Sequence, residues 1–99
     1  MADKFKIFLY GNSDNLHLKL IGVFDGSSAM ELVHTIREGI SRYNKIFVHT
    51  QSLSRVDDFG KDVFLRNFPS GNGHSDKLIF TGERKESFAP FVSVPGHAS

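Results

Sequence analysis

The residues best placed for chemistry lie in one short stretch, Ser54-Arg55-Val56-Asp57-Asp58-Phe59-Gly60, where two adjacent carboxylates stand between an apolar run and a helical pattern. The first turn of a helix exposes unpaired N–H groups and a partial positive charge, so an aspartate there serves as a cap. One cap needs only one carboxylate, which leaves the other to face solvent or a partner. Thr50, Ser52 and Ser54 are nearby hydroxyls that could carry phosphorylation, although the ordinary reading of loop serines is as polar, solvent-facing residues.

Five histidines, at positions 17, 34, 49, 74 and 97, raise the question of a metal. None has an i,i+4 companion and the chain holds no cysteine, so no metal site is expected. His49 and Asp57 would make an acid–base pair if the fold joined them, but no nucleophile in a recognisable turn accompanies them. No catalytic residue and no cofactor is expected. Ser70-Gly71-Asn72-Gly73-His74-Ser75 lacks the Lys-Ser/Thr of a phosphate-binding loop and reads as a connector. The basic residues Arg37, Arg42 and Lys45 around Tyr43, and Arg84-Lys85, are too little interleaved with aromatics for a nucleic-acid platform. The expected partner is therefore not nucleic acid.

The elements that must position these residues follow from hydrophobic period. Residues 4–10 alternate, with Phe5, Ile7 and Leu9 on one face, and residues 16–24 alternate with Leu16, Leu18 and Leu20 against His17 and Lys19. The turn formers of residues 11–15 between them predict a hairpin. Ser28 and Glu31 fit a capping box, after which Ala29, Leu32, Val33, Ile36 and Ile40 fall on one helical stripe that Gly39 or Asn44 would end. Residues 45–50, with Ile46-Phe47-Val48, read as a buried strand parallel to the one before the helix. Residues 51–58 read as a loop. Phe59, Val63, Phe64 and Phe68 predict a second helix, with Asp62 and Arg66 paired at i,i+4. Residues 77–81 predict a fourth strand, and residues 87–99 a weakly ordered tail or a stub of edge strand. The fold class is thus α/β, a mixed sheet in the order β-β-α-β-α-β, with right-handed crossovers placing the helices mainly on one face.

Ninety-nine residues, 39% hydrophobic and 23% charged, are enough for one core and too few for a two-domain enzyme, so residues 1–99 are read as a single domain. Twelve basic residues against eleven acidic give +1, which excludes a global field toward nucleic acid or acidic lipid. The chain opens without the apolar run of an export signal, and no stretch is long enough to span a bilayer. A cytoplasmic location without membrane insertion is expected, and oligomeric state is left open.

Two motifs in this arrangement resemble the STAS domain of bacterial anti-sigma factor antagonists. Gly22-Val23-Phe24-Asp25 is similar to that family's Gly-x-hydrophobic-Asp before its first helix, and Val56-Asp57-Asp58-Phe59-Gly60 to its hydrophobic-Asp-Ser-Ser/Thr-Gly at the next helix start. The resemblance places Asp58 where the family carries the hydroxyl that partner kinases phosphorylate. Asp58 cannot accept a phosphoryl group as a serine does, and Phe59 is bulkier than the family's small hydroxyl residue. The chain also stops short of the family's further helix. The resemblance implies a non-catalytic regulator in signal transduction or transcription regulation. Its patch of Asp25, Gly26, Ser27, Asp57, Asp58, Phe59 and Gly60 would dock on an anti-sigma factor or serine kinase. The competing expectation is a small-molecule or lipid-binding module of a transport system, its ten Phe lining a pocket between sheet and helices.

Overall fold

The computed structural model describes residues 4–67 and 77–82. Strands β1 (Lys6–Gly11) and β2 (Asn15–Phe24) lead to helix α1 (Gly26–Gly39), strand β3 (Lys45–Val56), helix α2 (Asp58–Asn67) and strand β4 (Leu78–Thr81). The sheet order is β1-β2-β3-β4, with β1 antiparallel to β2 and the other pairs parallel. The mixed α/β order expected from the period of the apolar residues is the order observed. The loop at residues 69–76, Phe68 and the tail at 87–99 lie outside the described residues.

The hairpin closes on Asn12, whose side-chain oxygen accepts from the N–H groups of Asp14 and Asn15, the local bond that makes asparagine a turn residue. One face of the sheet carries Leu16, Leu18, Leu20 and Phe24 from β2, Ile46 and Val48 from β3, and Leu78 and Phe80 from β4, all buried. Against it α1 turns Ala29, Leu32, Val33 and Ile36, fully buried, and α2 contributes Phe64, edge-on to Phe80 at 5.7 Å. Both helices cover this one face, and they pack against each other beside it. Lys77 closes the far end of α1 by donating to the Ile40 carbonyl at 2.8 Å, a cation where the helix dipole is negative.

Three local expectations are corrected. The capping box at Ser28 and Glu31 does not start α1. Asp25 is the N-cap, accepting from the Ser28 N–H at 3.0 Å, and the buried Ser28 hydroxyl donates to the Val23 carbonyl at 2.8 Å. Residues 51–56 are strand rather than loop, because β3 runs on beside β2 as far as the Phe24–Val56 pair. Around α2, the described ion contact is Lys61 with Asp58 at 3.9 Å in place of an Asp62–Arg66 pair.

Candidate functional site

The register of β2 and β3 builds the site. Phe24 and Val56 are paired at the carboxyl ends of two parallel strands, so Asp25 and Asp57 leave the sheet side by side and each enters a helix at once. The Asp57 N–H donates to the Phe24 carbonyl at 2.9 Å, which ties the two departures together. Gly60 lies in the first turn of α2 against the other strand end: a Cβ there would stand 2.7 Å from the Asp25 carbonyl carbon and oxygen. The Phe59 ring rests over Gly26, where a Cβ would come within 2.7 Å of it. The two sequence motifs, distant along the chain, therefore form one edge with two helix N-termini.

Each carboxylate has a distinct setting. Asp25 is held below the ordinary carboxylate range, chiefly by the Ser28 N–H and next by the Ser28 hydroxyl. Asp57 accepts the first helical bond of α2 through its carbonyl, from the Lys61 N–H at 3.0 Å, while its side chain turns back to Arg55 at 2.9 Å. Asp58 projects fully into solvent, and its contact with Lys61 is a surface pair worth about 0–1 kcal/mol. Phe59 is 68% exposed despite its size, and Ser27 is also exposed. The edge thus combines two helix dipoles, one fully exposed carboxylate and one uncovered aromatic ring. Arg55 beside Asp57, 68% exposed, and Lys61 beside Asp58 bring positive charge to it.

His49 does not join Asp57. It points to the face of the sheet opposite α1 and α2, with Nε2 3.0 Å from Nδ1 of His17 and Nδ1 2.7 Å from the Thr81 hydroxyl. No local pattern announces this trio, since it forms only when β2, β3 and β4 align. Among the described residues no cluster of three or more metal-ligating side chains occurs. The phenylalanines Phe24, Phe64 and Phe80 fill the space between sheet and helices.

The sequence matches no family model and no curated protein. Among solved structures it is similar to the anti-sigma factor antagonist SpoIIAA in its unphosphorylated form. The likeness covers 78% of this chain and 71% of that one at 18% identity, with a TM-score of 0.53. At that identity the likeness concerns the backbone. Together with the strand order and the two helix starts at one sheet edge, it establishes that this chain has a STAS-like fold.

Proposed function

We propose that the protein is a non-catalytic regulatory module of bacterial signal transduction or transcription control, acting in the cytoplasm by reversible binding of a protein partner. The contact is the edge where the two helices start, with Asp58 and Phe59 outermost and Asp25, Gly26, Ser27, Asp57 and Gly60 around them. The observation that carries this reading is the full exposure of Asp58 beside Phe59 on a fold shared with an anti-sigma factor antagonist. By the same resemblance, the partner class is an anti-sigma factor or serine kinase. Among the described residues no helix is long and apolar enough to cross a membrane.

Asp58 carries a fixed charge of about −1 where the resemblance places a phosphoacceptor, less than the roughly −1.5 to −2 of a phosphoserine. Charge at such a contact selects the partner and speeds encounter more than it adds affinity. The test uses the full chain to capture a partner, then titrates the purified partner against the chain and two variants. Asp58→Lys is expected to weaken binding about tenfold, the equivalent of about 1.4 kcal/mol. Asp58→Ser is expected to fall between. Equal affinity for all three would remove Asp58 from the contact and the reading with it.

A further inference from the structure

We propose that the face of the sheet opposite α1 and α2 binds single-stranded nucleic acid, independently of the helix-start edge. The four strands contain no aspartate or glutamate, whereas they carry Lys6, Lys19, Lys45 and Arg55. The near-zero net charge of the chain conceals this segregation. Strand alternation sends the buried Leu18, Leu20 and Ile46 toward the helices, so Lys6, Lys19 and Lys45 share the open face, with Lys4 just ahead of β1. Lys4, Lys6, Phe8 and Ile21 line a shallow depression of about 520 Å³ there.

Aromatic surface lies among these cations. Phe8 and Tyr10 are 52% and 62% exposed on β1, an expense that core packing does not require. Tyr10, His17 and Phe47 occupy matched positions on three adjacent strands, with ring centroids 5.1 and 5.0 Å apart and planes within 11° of parallel. His17 and His49 lie edge to edge in one plane. Their 5.3 Å centroid separation is what a 3.0 Å nitrogen–nitrogen contact plus two ring radii requires, which leaves no room for face-to-face overlap. The hydrogen bonds between His17 and His49 and between His49 and the Thr81 hydroxyl orient the imidazoles.

Lysine ammonium groups on strands that carry no carboxylate suit phosphates, and the exposed rings of Phe8 and Tyr10 suit unpaired bases, which stack without regard to sequence. A duplex keeps its bases out of reach of such a face. A second copy of the chain would bring like charge against like, which disfavours self-association here. The linear sequence shows none of this, because β1, β2 and β3 each contribute only two or three of these side chains.

The test measures fluorescence anisotropy of labelled 12-nucleotide oligo(U), oligo(dT) and a duplex of equal length with the full chain, over a salt series. Saturable binding to the single strands, weakening with salt and at least about tenfold tighter than to duplex, is expected. The ratio of oligo(U) to oligo(dT) affinity then assigns RNA or DNA. Tyr10→Ala, at an exposed position checked by circular dichroism, should lose about tenfold. Lys6→Gln with Lys19→Gln should flatten the salt dependence, and Arg66→Ala, on the helix side, should leave binding unchanged. Three results would each overturn the proposal. One is no saturable single-strand binding at low salt. Another is equal affinity for duplex. The third is a dimer by light scattering that Tyr10→Ala makes monomeric, which would give the face to a second copy. None of these results bears on Asp58.

Discussion

Removing the Asp25 carboxylate strips α1 of its cap and takes the acceptor from the Ser28 N–H. Asp25→Ala should cost about 0.5–2 kcal/mol in urea unfolding, whereas Asp25→Asn, an equally good cap, should cost much less. Because Asp25 holds its proton less tightly when folded, its contribution is complete above its ordinary value near 3.9 and is lost as pH falls through the lower folded value. Asp25→Asn should therefore flatten the acid limb. His49 titrates in a higher window. Burial first, then the charges of His17 and Lys19, push its imidazole below the usual value of about 6.5. The unfolded chain thus takes up the His49 proton before the folded one does, so stability is full above about pH 6.5 and falls as pH drops through the folded value. Thermal melts from pH 7.5 to 5.0 should show this loss in the native chain and a reduced loss in His49→Gln. Identical pH profiles for the two would contradict the assigned environment.

At the scale of elements, the close approach of α2 to the end of β2 is what makes the two helix starts one surface. Gly60→Ala offers up to about 1 kcal/mol of helix propensity but forces a methyl group to within 2.7 Å of the Asp25 backbone. Overpacking of that kind costs about 1–3 kcal/mol, so the net change in urea unfolding should be destabilising. A stabilised Gly60→Ala protein would mean that the helix does not sit this close. The elements that could be read from sequence were those whose burial is one-sided and regular: the Leu16-Leu18-Leu20 alternation and the Ala29-to-Ile40 stripe appear in the buried core as their spacing requires. Residues 51–56 were opaque for a physical reason. Among the described residues β4 pairs with Ile46 to His49 and not with the carboxyl half of β3, whose described ladder is with β2, so that half can remain polar while still strand. The start of α1 was opaque because Asp25-Gly26-Ser27-Ser28 offers several capping residues in a row, and the choice among them rests on which one the end of β2 delivers. Asp57, Asp58 and Gly60 were legible as a helix start, but their meeting with Asp25 and Gly26 depends on the β2–β3 register, which no local pattern encodes.

Over the whole molecule, two surfaces of opposite character occupy different places: an acidic edge with an uncovered Phe59, and an open sheet face with lysines and rings. The buried core lies between the sheet and the two helices, so the two surfaces stand apart on the molecule. The regulatory account concerns the first. Its most direct test is hydrogen–deuterium exchange of the full chain with and without its captured protein partner. The account predicts slowed exchange confined to residues 25–28 and 57–61, where α1 and α2 begin. Protection appearing elsewhere, with those two segments exchanging as fast as in the free protein, would contradict it.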